Sequence, residues 1–119
     1  MIRTTLCVVA AAAVGATFTA TAGAKSAGLT GEVGPGFSIE VKKGNRDLES
    51  IRAGTYTIKV EDKSAIHNFH LIGPGLNKKT TVAFRGETTW RVRLRPGRYT
   101  YQCDPHAAAG MKGSFRVTR

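Results

Sequence analysis

Cysteine is nearly missing from this chain. Cys7 and Cys103 are the only two among 119 residues, so no framework of paired disulfides can hold it together. Histidine is almost as scarce, with His67, His70 and His106 in the whole length. Acidic residues number 8 against 18 lysines and arginines. A cationic surplus of that size favours encounter with acidic partners or anionic surfaces. It is not a nucleic-acid signature, because the cations are spread along the chain and no nucleic-acid motif accompanies them. No apolar run reaches the length of a membrane-spanning helix, so stable membrane insertion is not expected. Beyond residue 24 no ten-residue segment carries a helical period either. Disulfide scaffolds, helical bundles and bilayer spans are thereby set aside.

The N-terminus reads as an export signal. Arg3 supplies a positive start, Leu6 to Ala16 an apolar stretch, and Ala22-Gly23-Ala24 the small residues that precede a cleavage site. Residues 1–24 are therefore expected to be removed, taking Cys7 with them, and the product to be periplasmic or secreted. Loss of Arg3 lowers the formal charge from +10 to +9. Residues 25–35, rich in Gly, Ser and Thr, read as a flexible lead-in, and residues 36–119 as one domain.

That domain alternates apolar and polar positions in short pieces. Phe37, Ile39 and Val41 share one parity, as do Tyr56, Ile58 and Val60; Trp90, Val92 and Leu94; Tyr99, Tyr101 and Cys103; and Phe115 and Val117. Period 2 is the mark of a half-buried strand. Turn signals separate the pieces, and Arg95-Pro96-Gly97-Arg98 has the composition of a type II turn. Leu48 to Arg52 fits neither period. Six or seven such strands predict an antiparallel β-sandwich or barrel. On the opposite parity Arg91, Arg93 and Arg95 make a basic row, a solvated face or a docking patch.

The chemistry concentrates in Tyr99 to Met111. Within nine residues Cys103, His106 and Met111 offer a thiolate, an imidazole and a thioether, the donor types of a blue-copper site. Such a site needs one more histidine. His67 and His70 are both candidates, and parity favours His67, which shares a face with Phe69 and Leu71. Met111 gains weight as a ligand from Gly110 and Gly113, which put it in a loop rather than a core. Ala107-Ala108-Ala109 reads as filler or as a small apolar surface around His106 that lets a partner come close.

These residues resemble the cupredoxins, and within them the plastocyanin and amicyanin type. The matching pieces are Asp62 to Leu71, Pro96 to His106 and Gly110 to Val117, with Tyr56 to Val60; together they cover most of residues 37–119. The Cys-x2-His-x4-Met loop with an upstream His-Asn is the specific part. The resemblance implies a Greek-key β-sandwich holding one type 1 copper that shuttles single electrons. It implies His67, Cys103, His106 and Met111 as ligands, and Asn68 as the residue tying the two ligand-bearing segments together. Gln102 departs from plastocyanin, which has an aromatic before the cysteine. The protein is expected to be no enzyme, to act as a monomer and to meet redox proteins with acidic docking surfaces.

Rival classes fail on counts of residues. Tyr101-Gln102-Cys103 imitates an immunoglobulin corner, but the partner cysteine is missing. Gln102 and Asp104, not histidines, flank Cys103, and three histidines cannot build the additional three-copper cluster of a multicopper oxidase. A Cys103–His106 nucleophile and base would lack an orienting group and leave Met111 unexplained. Structural zinc rarely uses methionine. Copper delivery without electron transfer uses the same ligands and stays open.

Overall fold

A computed structural model describes Gly15 and residues 27–119 of the chain. The export signal falls outside the described residues, apart from Gly15. Ten strands follow in order: β1 Ala27–Val33, β2 Ile39–Lys43, β3 Arg46–Asp47, β4 Ser50–Arg52, β5 Gly54–Asp62, β6 His70–Gly73, β7 Leu76–Lys79, β8 Gly86–Leu94, β9 Gly97–Gln102 and β10 Lys112–Thr118. A 3₁₀ turn, Asp104–Ala109, lies between β9 and β10. The strands form two five-stranded sheets, ordered β3-β2-β1-β5-β8 and β4-β10-β9-β6-β7.

The sheets pack face to face because their period-2 apolar positions must leave water. Tyr56, Ile58, Val60, Trp90 and Val92 line the inner face of the first sheet, and Leu71, Tyr99, Phe115 and Val117 that of the second. Phe69 sits between them, its ring 5.9 Å from Trp90 and stacked at 6.3 Å on Tyr101. The expected sandwich is present, but each sheet is mixed. β1 runs parallel to β5, and β4 runs parallel to β10.

Three expectations are corrected. The Gly-, Ser- and Thr-rich segment read as a flexible lead-in holds β1, which pairs β2 on one side and all seven of its positions with β5 on the other. Leu29 and Val33 are buried there, and the ladder supplies the hydrogen bonds that small polar side chains do not. Second, Phe37 does not belong to β2; it is 56% exposed in the β1–β2 loop. Third, the segment His67-Asn68-Phe69 does not alternate. All three are buried, and β6 begins only at His70. Its backbone is held by Thr80 instead, whose N–H donates to the Phe69 carbonyl (2.9 Å) and whose hydroxyl accepts the Phe69 N–H (2.9 Å).

The Pro96-Gly97 corner has its positive φ at Gly97, 140°, and Tyr99 braces it. The Tyr99 hydroxyl accepts from Arg95 N–H (2.9 Å) and donates to the Pro74 carbonyl (3.0 Å).

Candidate metal centre

Three connections meet at one end of the sandwich: β1–β2, β5–β6 and β9–β10. The β9–β10 connection is a tight loop. Asp104 and Pro105 open the 3₁₀ turn, Gly110 closes it in the left-handed region (φ 97°), and its N–H reaches the Ala107 carbonyl at 3.0 Å. A β-carbon is disfavoured in that conformation. The loop mouth is locked when Cys103 N–H donates to the Met111 carbonyl (3.0 Å) and Met111 N–H to the His106 carbonyl (3.2 Å). Cys103 and Met111 are buried, and His106 is half-buried.

This loop meets the β5–β6 connection through the side chains of His67, Cys103 and His106. His67 Nδ1 lies 3.0 Å from His106 Nδ1 and 3.6 Å from Cys103 Sγ, and Cys103 Sγ lies 3.4 Å from His106 Nδ1. The point equidistant from these atoms is about 1.9 Å from each, close to the roughly 2.0–2.3 Å that imidazole nitrogen and thiolate sulfur keep from a first-row metal ion. His67 Nε2 is enclosed and has no hydrogen-bond partner. Nδ1 is thus the working face of that ring. Two imidazole nitrogens and a thiolate converging on one point form a donor set that a soft or borderline ion satisfies. The residues present fit a copper ion. His67, Cys103 and His106 are the group of His, Cys and acidic residues found converging in this way among the described residues. His70 lies outside it. Its Nδ1 contacts Asp104 Oδ1 at 2.8 Å and its Nε2 contacts Asn77 Oδ1 at 2.6 Å.

Asn68 joins the two segments directly. Its side-chain oxygen accepts Asp104 N–H at 2.7 Å, and its amide donates to Asp104 Oδ2 (3.0 Å) and to the Thr80 carbonyl (3.2 Å). Asp104 is the counterpart, receiving Gln102 Nε2 at 2.8 Å as well. Burial pushes its carboxyl up, yet the hydrogen bonds from Gln102, His70 and Asn68 outweigh that and hold it down to about 2.

Sequence reasoning missed four participants. In the sequence Asp104 stands only as a flank of Cys103; an acidic residue opening the turn before Pro105 is the one local signal. Phe37 lies edge-on to His106 (5.2 Å between ring centres) and to His67 (6.5 Å). Gly34, with φ 70°, comes close enough that a β-carbon would meet His67 Cδ2 and Ser64 Cβ at 3.2 Å each. Asp62 is buried with Oδ1 accepting Ser64 N–H (3.1 Å) and Oδ2 unpartnered. Burial pushes its carboxyl up, offset in part by that Ser64 bond. Nothing in the local sequence distinguished Phe37 or Gly34 from ordinary strand and turn residues.

Comparison with known proteins agrees with this geometry. The chain's fold is similar to reduced rusticyanin (26% identity, TM-score 0.57, covering 76% of this chain and 78% of that one). It is similar to a reduced auracyanin from the photosynthetic bacterium Roseiflexus castenholzii (19% identity, TM-score 0.57, covering 79% and 98%). An oxidised amicyanin variant shares the fold more distantly, at 16% identity and TM-score 0.50 over 75% and 80% of the two chains. Residues 16–118 match the family model described as copper binding proteins, plastocyanin/azurin family. The chain belongs to the plastocyanin/azurin family of copper-binding proteins.

Proposed function

We propose that this protein is an exported one-electron carrier, in which His67, Cys103 and His106 would hold a single type 1 copper as strong ligands and Met111 would be the weak fourth donor. The observation that carries the reading is the convergence of His67 Nδ1, Cys103 Sγ and His106 Nδ1 within 3.6 Å of one another in a pocket closed on the His67 side. Bound copper supplies the Cu(I)/Cu(II) couple. The chain's own residues do the rest. Cys103 binds as thiolate, its proton going to solvent. Asn68 and Asp104 fix the spacing between the two ligand loops, so the donors need not move when the charge at their centre changes. Met111, tied by its backbone to Cys103 and His106, belongs to the same rigid loop.

The half-buried His106 is the way in for electrons. Around the metal end stand Ala108 and Ala109, both exposed, with Phe37 against the imidazole and Ile66, 62% exposed, next to His67. Such an apolar rim allows close approach of a partner without burying charge. Nothing in this scheme requires a substrate pocket or a catalytic role. No helix among the described residues is long and apolar enough to cross a membrane, and the N-terminal signal favours delivery of the domain to the periplasm or beyond.

The test is the visible spectrum of the domain with one equivalent of Cu(II), beside Cys103→Ser, followed by cycles of reduction and reoxidation. An intense band at about 600 nm, absent in the variant and reversible on cycling, is expected for a thiolate-bound blue copper. A colourless protein, or one that loses its copper on reduction, would move copper delivery to the front.

A further inference from the structure

The two outer faces of the sandwich differ sharply in charge. On the first sheet, Lys42, Lys59, Arg91 and Arg93 point outward among Glu32, Glu40, Asp47, Glu61 and Glu87. Ion pairs run across that face: Lys42 with Glu40 at 3.0 Å, Lys59 with Glu61 at 3.2 Å and with Glu87 at 3.4 Å. It is balanced. On the second sheet the inward positions Ile51, Leu71, Tyr99, Phe115 and Val117 fix the opposite parity as outward. That parity carries Arg52, Lys79, Arg98, Lys112 and Arg116, and no strand of the sheet contributes a carboxylate to it. Glu49 immediately precedes β4, on the parity of Ile51, and Asp104, at the metal end, is already engaged by Asn68, His70 and Gln102.

Solubility alone accounts poorly for this arrangement. Charges that blunt sheet edges belong on edge strands, but Arg98, Lys112 and Arg116 stand on β9 and β10, in the interior of the sheet. Arg98 and Arg116 are directly opposed across those strands, and like charges in that relation are destabilising. A carboxylate from outside would relieve the pair. The face also borders the metal centre, since Gln102 and Lys112, paired across β9 and β10, are the neighbours of Cys103 and Met111.

We propose that the outer face of the β4-β10-β9-β6-β7 sheet docks the acidic surface of a redox partner protein, through Arg98, Lys112 and Arg116. The proposal rests on the electron-carrier reading above and says which flank the partner occupies. A lipid surface fits less well, because membrane binding couples cations to inserted apolar side chains; the exposed large apolar residues, Phe37, Ile66 and Val82, lie in loops and not on these strands. A single-stranded polyanion would want aromatic stacking platforms, and the aromatic residues of this sheet, Tyr99, Tyr101 and Phe115, belong to its inward parity.

The experiment uses the copper-loaded protein and an acidic c-type cytochrome as the probe, with electron-transfer rates read by stopped flow at low and high salt. Arg98→Glu/Lys112→Glu/Arg116→Glu is compared with Arg91→Glu/Arg93→Glu on the balanced face, and with a milder Arg98→Gln/Lys112→Gln. We expect at least a tenfold fall in the low-salt rate for the triple variant, an intermediate fall for the glutamine pair, and less than a twofold change for the control pair. Salt should erase the difference. Equal effects from both faces, no effect from either, or binding of the wild type to phosphatidylglycerol vesicles in preference to the cytochrome would overturn the proposal. Retention of the blue band in every variant shows that the site is intact; its absence in the wild type would defeat the electron-carrier reading itself.

Discussion

Asn68→Ala is the perturbation that tests most directly how the metal end is built. The carboxamide is buried and makes three hydrogen bonds, two to Asp104 and one to the Thr80 carbonyl. The bond to the ionised Asp104 carboxylate is worth about 1.5–3 kcal/mol and each of the others about 1 kcal/mol. Asp104 is partly exposed, so water can take over some of what it loses. A net loss of about 3 kcal/mol follows, which for a domain of this size lowers the melting temperature by about 12–24 °C. The expected effect on copper is a 10- to 100-fold weaker affinity, the usual consequence of removing a group that orients metal ligands.

The assay is thermal unfolding of the metal-free protein at pH 7, followed by circular dichroism, with copper affinity from competition against a chelator. Asn68→Asp sharpens it: two carboxylates would face each other at the site of the 3.0 Å contact, so this variant should be less stable than Asn68→Ala at pH 7 and overtake it below about pH 4. Combining Asn68→Ala with Asp104→Ala should show a coupling of about 1–3 kcal/mol. A drop of less than about 4 °C for Asn68→Ala, or strict additivity in the cycle, would refute the view that these side chains hold the two loops together.

Asp104 also gives a pH signature. Its folded-state pKa is depressed to about 2, so it contributes stability above the ordinary carboxylate range that is lost as the pH falls through that range toward 2; after allowance for its exposure the loss is about 1–1.5 kcal/mol. Urea unfolding between pH 5 and 2 should show that slope in the wild type and not in Asp104→Asn. Asp62 has the opposite sign. Burial raises its pKa, so the favourable contribution of the protonated form is lost as the pH rises through the raised value. Asp62→Asn should therefore match or exceed the wild type in stability at pH 8 and show no advantage at pH 4; a large loss at pH 8 would mean that the ionised carboxylate has a partner the geometry lacks. Phe37→Ala removes a largely exposed ring, so the metal-free protein should melt within about 4 °C of the wild type. Copper release to a chelator should nonetheless be faster, since the ring covers both imidazoles.

How much of this was legible in the sequence depends on the range over which each residue is specified. Tyr56, Ile58, Val60, Trp90, Val92 and Leu94 announce their strands because the inward parity is written locally and survives folding. The pairing of β1 with β5 is not local. Leu29 and Val33 occur in a glycine-rich stretch that looks like linker, and only the seven-residue register with Tyr56 through Asp62 turns them into core. Ile51 was unreadable for a related reason, since its short strand exists by virtue of pairing with β10. The parallel pairings that make both sheets mixed leave no mark in either strand alone.

The site divides along the same line. Cys103, His106 and Met111 sit on one loop, so their spacing carries the chemistry. The parity that favours His67 over His70 is not kept by the chain at Asn68. Residues 67–69 are all buried, and what turns His67 toward Cys103 is the pair of bonds from Asn68 to the far loop, together with Thr80 holding Phe69. His70 is drawn away by the same device, because Asp104 takes its Nδ1 while Asn77 takes its Nε2. One aspartate thus organises both histidines, fastening the loop of one and occupying the ring of the other. Substituting it should loosen the His67 segment and free His70 together. Those two effects have no common origin in the sequence around either histidine, and a shared response to Asp104→Ala is what the geometry requires.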